Sequence, residues 1–422
     1  MEDAIAESRS PFPLQGGDPD YPALCQVLWD WKLCDGSHDE RRADDCVCRW
    51  KDMVATGRLL LFLHTFYQDI TGAYVPDFFG HEDQALRTHK DLRDIILLLR
   101  QNGAALSRDD CMETYFLSRA ADQECMSVPR SDQLRAFTLA ARIMTMTSIS
   151  CDDESDTDFL MGSGDERGQR LLPPVSWLPD KSLLTAVSDA FPTQIHPSLQ
   201  DGDTYAGVIR SNLTAVNLMR VAGLKIEATA NLHDHLKLNQ ANGTVQVFHG
   251  VRFLRENLLS TRQAVWTSKQ FRPTGPETNL SPCLPRLLAL ETLYTHQLLF
   301  PQEEKSQALL RNLVSKHGFD RDCLTFGIAP FEQPVPVGEE KKQAQRFLVW
   351  GSRLMDLYDE IENPKPRSTF DTWIERRSKS RHVMLATVAG VMTAVVLGLL
   401  SLCVSIFQAW IAWQDWEGRR RG

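Results

Sequence analysis

The chain has 422 residues, 43% of them hydrophobic and 24% charged, which is typical of a folded protein and excludes a mainly disordered one. Its formal net charge of −9 argues against nucleic acid as a partner, because binding to phosphates needs a basic face. With ten cysteines and no signal-peptide pattern after Met1, we expect a cytosolic chain whose thiols are free and mostly buried.

The first 150 residues are predicted to form a disordered N-terminus (1–19) and a helical subdomain (20–150). Apolar residues at helical spacing over 91–100 indicate a helix that ends at Gly103. Ser107 and Asp110 have the spacing of a capping box, which predicts another helix start. A further helix is expected over 131–147.

Residues 151–172 are rich in Asp, Glu, Ser and Gly, which predicts a solvated acidic linker and a domain or subdomain boundary. A mainly helical domain with a small strand pair is expected over 173–368. Its predicted helices cover residues 182–191, 211–222, 251–263, 285–298, 303–316 and 339–362.

One segment of this domain departs from the helical pattern. Strands are predicted over 224–228 and 244–248, with a short helix over 230–238 between them. Together with the helix that follows, they form a small α+β element near 224–262. The predicted fold class is therefore mainly α, with this element and one C-terminal transmembrane helix.

The transmembrane prediction rests on residues 383–407, which contain no charged residue. At about 1.5 Å per residue this helix is roughly 37 Å long, enough to cross a hydrocarbon core of about 30 Å. The alternative is a buried helix of a soluble core, but a core helix of this length usually carries a polar stripe. We therefore predict a single-pass membrane protein whose partner is membrane lipid.

The flanks of the span resemble a membrane interface. A basic juxtamembrane helix is expected over 369–382 and a short tail over 408–422. The basic residues before the span favour a cytosolic N-terminal domain, and the position of the span near the C-terminus predicts a tail-anchored protein. The long apolar span favours the endoplasmic reticulum or a later compartment, although the basic tail would also suit a mitochondrial or peroxisomal membrane. The predicted interface residues are Arg376, Arg377, Lys379, Arg381, Trp410 and Trp413.

Small residues recur every four positions along the span, at Ala386, Gly390, Ala394 and Gly398. This spacing lets two helices approach closely in lipid, which predicts a homo-oligomer or pairing with another membrane helix. The alternative is that small residues are simply common in membrane helices.

Histidines provide the best metal candidates, although weak ones: His233, His235 and His249. On a helix, residues 233 and 235 point about 200° apart and cannot share one ion. On a strand they would share a face. We favour the helix, in which His235 packs or hydrogen-bonds within the fold, and predict no metal.

A second group of metal-ligand types, Cys34, His38, Cys46 and Cys48, has a Cys-x-Cys spacing tighter than the usual zinc knuckle. The chain has no nucleophile elbow, His-Glu-x-x-His helix, phosphate-binding loop or kinase motif. We therefore expect no catalytic residues and no cofactor, and an enzyme is the less favoured reading.

Residues 357–366 (LYDEIENPKP) and 372–382 (TWIERRSKSRH), which run into the span, resemble a large group of filamentous-fungal proteins. The segments 137–146, 232–238 and 247–258 also resemble that group, and the likeness covers about residues 168–413. These proteins share a C-terminal membrane helix and have no established activity, so the resemblance implies origin and topology. Some are encoded among secondary-metabolism genes.

These observations lead to one main functional expectation and one alternative. The main expectation is a tail-anchored interaction or accessory protein, linked to fungal secondary metabolism. The alternative is a membrane-tethered, metal-dependent enzyme that uses residues 233–249.

Overall fold

The computed structural model describes residues 14, 20–31, 60–77, 83–122, 128–151, 173–194, 196–199, 207, 209, 211–270, 280–325, 346–364 and 381–420. Within them the fold is mainly α, as the sequence predicts, with five short strands. The chain divides into two compact units, 1–363 (unit 1) and 364–422 (unit 2).

Helices dominate both units. The helix described in unit 2 is α13 (Arg381–Arg420). The helices described in unit 1 are α1 (Tyr21–Trp29), α2 (Leu60–Gly72), α3 (His89–Asn102), α4 (Arg108–Asp122), α5 (Arg130–Thr145), α6 (Leu183–Ala190), α7 (Ala215–Arg220), α8 (Val251–Gln270), α9 (Arg286–Leu299), α10 (Glu304–Lys316), α11 (Asp322–Thr325) and α12 (Gly351–Glu362). The strands are β1 (Ile149–Ser150), β2 (Val175–Ser176), β3 (Lys225–Thr229), β4 (Lys237–Asn239) and β5 (Thr244–Phe248).

Two predicted helix boundaries are confirmed by their capping contacts. Gly103 ends α3 with its N–H donating to the Leu99 carbonyl, and a Cβ at this position would collide with that carbonyl. The Ser107 hydroxyl accepts the Asp110 N–H at 3.2 Å, while the Asp110 carboxylate accepts the Ser107 N–H at 3.4 Å. Local sequence therefore determines where α3 ends and α4 begins.

The parts that flank the predicted acidic linker belong to the same compact unit. β1 pairs with β2 in parallel, and Ile149 is in register with Val175. The buried Arg108 of α4 donates to the carbonyls of Cys151 (2.7 Å) and Trp177 (2.8 Å), so it ties the two flanks together. Residues 152–172 lie outside the described residues.

The small α+β element contains a three-stranded sheet of order β3-β5-β4. β3 runs parallel to β5, and β4 runs antiparallel to it. The short helix expected over 230–238 is wrong: the structure has a single 3-10 turn at Leu232–Asp234, followed by β4. Leu236 has a φ of 60°, which ends helical geometry, and pairing with β5 then extends the chain.

The helix predicted over 339–362 begins later, at Gly351. Phe347 has a φ of 51°, which a helix does not accommodate, and residues 339–345 lie outside the described residues. The expected apolar stripe of this segment is nevertheless buried, with Trp350, Leu354 and Leu357 each almost inaccessible. Helical spacing thus identified the core residues even where the helix boundary was wrong.

Burial of the cysteines agrees with the expectation of free, mostly buried thiols. Among the residues that the structure describes, the cysteines form no disulfide, and five of the six are buried. The sixth, Cys403, lies on α13 and is exposed.

Candidate functional site

The apolar helix of unit 2 is the first candidate functional element. α13 has 40 residues, and it is therefore about 60 Å long at about 1.5 Å per residue. Its part Thr387–Arg420 is long and apolar enough to cross a membrane, by length and composition. Its apolar side chains are exposed, and Leu397 and Leu400 are 61% and 57% accessible. Burial in unit 2 does not explain these side chains, and a bilayer would cover them.

α13 extends past the predicted end of the span. Residues 408–420 of the predicted tail continue the same helix, rather than beginning a separate segment after Phe407. Trp410 and Trp413 are exposed on this extension, and the Trp413 and Trp416 rings lie 5.7 Å apart. The extension therefore presents aromatic rings on a rigid helix, which suits an interfacial position.

Within the span, the contact of the Thr393 hydroxyl stays inside the helix. Thr393 donates to the Ala389 carbonyl at 2.8 Å, so this polar side chain does not need a partner from water. Gly390, Ala394 and Gly398 all lie on α13, and a Cβ added at either glycine would meet nothing within 4 Å. The face is thus open to a neighbouring helix, and pairing remains a prediction.

The other predicted residues of this region are only partly described. Ala386 and Arg381 belong to α13, of which Arg381 is the first residue. Arg376, Arg377 and Lys379 lie outside the described residues.

The predicted metal ligands lead to the second candidate site, a group of buried histidines in unit 1. His235 follows the 3-10 turn, His249 follows β5, and His296 lies on α9. The His235 and His296 rings stack with their centroids 5.7 Å apart. We call His235, His249 and His296 the histidine cluster.

Both ring nitrogens of His235 are engaged within the fold. Its Nδ1 accepts the backbone N–H of Phe248 at 3.1 Å, and its Nε2 lies 2.7 Å from the Thr295 hydroxyl. Because Nδ1 accepts, the proton belongs on Nε2, which donates to Thr295. Burial lowers the pKa of His235 well below its usual value, and the nearby His296 and Arg353 lower it further. His235 is therefore a neutral structural group at neutral pH.

His249 and His296 complete the cluster around the end of β5. His296 Nε2 donates to the Phe248 carbonyl, and burial lowers the pKa of His296 to about 4. His249 Nδ1 accepts the Asp320 N–H at 3.2 Å, and burial likewise lowers the pKa of His249 to about 4. The cluster thus connects β5, α9 and the segment before α11.

His233 differs from the histidine cluster. Its ring meets Phe191 edge to face at 5.6 Å, and its buried Nδ1 has no hydrogen-bond partner among the described residues. Its carbonyl accepts from Arg353 at 2.8 Å. His233 therefore contributes its backbone to the neighbouring hydrogen bonds, while its imidazole does not join His235.

Glu291 of α9 contacts the backbone just before the start of α12. One carboxylate oxygen accepts the N–H groups of Val349 (2.7 Å) and Trp350 (2.6 Å). The other oxygen is buried and has no hydrogen-bond partner among the described residues. Burial raises the pKa of Glu291 to about 7, although the backbone hydrogen bonds oppose this. Glu291 therefore holds the two residues just before α12 from another helix, and its charge changes near neutral pH.

The geometry does not assemble the proposed metal ligands. No three His, Cys, Asp or Glu side chains of the described residues are placed to share one ion. His235 has no free nitrogen, because both are hydrogen-bonded. The alternative candidates Cys34, His38, Cys46 and Cys48 lie outside the described residues.

The sequence analysis missed Thr295 and His296, which contact His235, and Glu291, which contacts the backbone just before α12. They come from α9, about 60 residues further along the chain, and no local motif joins them to residues 233–249. The available signal was several polar residues within the otherwise apolar helix 286–299. All three are buried, which such a position on a core helix would suggest.

Compared with protein-family models, curated proteins and solved structures, the chain matches none of them.

Proposed function

We propose that the protein is a single-pass membrane protein whose unit 1 acts as an interaction or accessory module at the membrane surface. The observation that carries this proposal is the exposed, uncharged stretch of α13, which lipid would cover. Unit 1 supplies a well-packed folded body for protein contacts, and its histidines act in packing.

The proposal includes an orientation. Unit 1 lies on the cytosolic side, because the basic residues before the span favour that side. The expected tail-anchored insertion and a compartment of the secretory route are part of the same proposal. The resemblance to filamentous-fungal proteins adds an accessory role in secondary metabolism.

Charges placed within the span test the anchor directly. The variant L397R/L400R introduces two arginines into the uncharged stretch, and each costs about 3 kcal/mol at the bilayer centre. The matched control, Q414R/G418R, adds the same charge beyond residue 407. We expect the full chain and the control to remain in the membrane pellet after alkaline carbonate extraction, and L397R/L400R to become soluble. Extraction of the unmodified chain would contradict the anchor.

Orientation and partners need separate measurements. With sealed vesicles, added protease should digest unit 1 from outside, and a glycosylation acceptor appended after Gly422 should be modified in the lumen. Protection of unit 1 would reverse the proposed orientation. Proximity labelling with the full chain, compared with a chain truncated before Arg376, should identify membrane neighbours that disappear on truncation. Identical neighbours would count against a role at the membrane.

The membrane-tethered enzyme is less well supported. A metal site over 233–249 would require imidazole nitrogens that already hold Phe248, Thr295 and Asp320 in place. Metal analysis of the purified full chain tests this alternative, because a stoichiometric ion would favour it.

A further inference from the structure

A cavity of about 610 Å³ lies between α2, α5 and β1 in unit 1. Its volume is within the range of about 300–1,000 Å³ that small-molecule sites occupy. One face of α5 forms a long wall, because its lining residues recur at three- and four-residue intervals. These residues are Ser131, Leu134, Arg135, Thr138, Leu139 and Arg142.

Arg142 is the unusual residue of this wall. It is partly buried, yet its guanidinium makes no hydrogen bond or ion pair with any described residue. Burial lowers its pKa, but an arginine side chain stays charged at neutral pH. A cation that is partly removed from water without a partner destabilises the fold, unless another group supplies the missing contacts.

A neighbouring arginine shows how this fold satisfies a structural cation. Arg108 is fully buried, and it donates to the carbonyls of Cys151 and Trp177 and pairs with Asp109. Cys151 also lines the cavity. Two arginines thus lie close to the same strand end, and one has protein partners while the guanidinium of the other faces a cavity.

The rest of the lining suits an organic anion. Arg135 is a second cation at the cavity, and it pairs with Asp77 at 3.5 Å, so two guanidinium groups stand against one carboxylate. Hydroxyl groups of Ser131 and Thr138 add hydrogen-bond donors to the wall, and Leu134 and Leu139 contribute apolar surface. The charge left over at the cavity is therefore that of Arg142.

We propose that this cavity binds a small organic anion, with a carboxylate or phosphate group beside Arg142 and an apolar body against Ile70, Leu139 and Ile149. Arginine suits both kinds of anion, because its planar donors match their oxygen atoms. The same chemistry could come from a soluble metabolite or from a lipid headgroup.

Calorimetric titration of the full chain in nanodiscs of neutral phosphatidylcholine tests the site. The probes are phenyl phosphate and benzoate, with benzamide as the uncharged match and inorganic phosphate as the anion without an apolar body. We expect at least one aromatic anion to bind, and benzamide and inorganic phosphate to bind at least tenfold more weakly. The variant R142M should weaken the anion at least tenfold. Equal binding of the anions and benzamide, or unchanged binding by R142M, would overturn the proposal.

Thermal unfolding of the same variants distinguishes a binding arginine from a structural one. R142M removes an unpaired charge and keeps an apolar side chain, so its melting temperature should equal or exceed that of the unmodified chain. R108M is the matched control, and its melting temperature should fall. An R142M variant that melts as early as R108M would show that Arg142 supports the fold, and the proposal would fail.

Nanodiscs that contain anionic lipid identify the source of the anion. If a headgroup occupies the cavity, anionic nanodiscs will weaken the binding of phenyl phosphate. If the natural ligand is soluble, the affinity will be the same in neutral and anionic nanodiscs.

Discussion

The histidine cluster and the cavity beside Arg142 both place polar side chains in the interior of unit 1, but they differ in hydrogen bonding. Both ring nitrogens of His235 are engaged, and His296 and His249 each make a hydrogen bond to the backbone. The Arg142 guanidinium has no hydrogen-bond or ion-pair partner among the described residues, and Arg142 lines the cavity. The histidine cluster is therefore hydrogen-bonded within the fold, whereas the partly buried Arg142 is not hydrogen-bonded to any described residue.

This difference separates groups that hold the fold from groups that are available to a ligand. A buried polar group with its partners in place adds stability, and removing it leaves those partners buried without a hydrogen bond. A buried charge without partners costs stability, and such costs are common at binding sites. Substitutions should consequently destabilise the histidine cluster and leave the stability of the cavity wall unchanged or improved.

The largest expected effect is at Arg108, the satisfied arginine near the cavity. Arg108→Met should lower the free energy of unfolding by about 4 kcal/mol, because the carbonyls of Cys151 and Trp177 lose a charged donor inside the protein. Urea titration followed by tryptophan fluorescence measures this. If the free energy of unfolding changes by less than about 1 kcal/mol, Arg108 does not stabilise the fold and no longer differs from Arg142.

A somewhat smaller effect is expected at His235. His235→Phe keeps an aromatic ring but leaves the Phe248 N–H and the Thr295 hydroxyl without their partner, at a cost of about 3 kcal/mol. His233→Phe is the matched control, because the described structure shows no hydrogen bond to that ring's buried Nδ1. Its unfolding free energy should change by less than about 1 kcal/mol. Equal losses in both variants would mean that packing, rather than hydrogen bonding, stabilises the region.

The smallest of these effects depends on pH. Burial raises the pKa of Glu291 to about 7 in the folded protein, from its ordinary value of 4.5. Between these values the folded state holds the extra proton, so Glu291 contributes stability as pH falls from 7 towards 4.5 and loses it as pH rises through 7.

The variant Glu291→Gln removes this contribution. From pH 7 to pH 5 its unfolding free energy should fall relative to that of the unmodified chain by about 2 kcal/mol. The histidines act in the opposite sense, because a lowered histidine pKa costs stability as pH falls below 6.5. Asp320 acts in the same sense as Glu291, because burial raises its pKa to about 6. These contributions occur in both proteins and cancel in the comparison. Parallel pH profiles of the two proteins would show that Glu291 stays ionised.

Local patterns predicted most of the helical elements of unit 1. The helices around 286–299 and 304–316 lie within one residue of their predicted ends, and the contacts at Gly103 and Ser107 match the predicted caps. Such features depend on residues three or four positions apart, which the sequence displays directly. The helix predicted over 230–238 was wrong, because pairing of β4 with β5 overrides the helical spacing of its residues.

By itself, the sequence determined the exposed apolar helix, since a long uncharged run needs no distant contact to be recognised. The expectation that His233 and His235 would not share an ion rested on a helix, and the structure has a 3-10 turn there. Only the tertiary structure decided that His235 meets Thr295 and His296, and that Arg142 faces a cavity instead of a carboxylate. Hydrogen-bond satisfaction depends on groups far apart in the chain, and no local pattern of residue types records which of them meet.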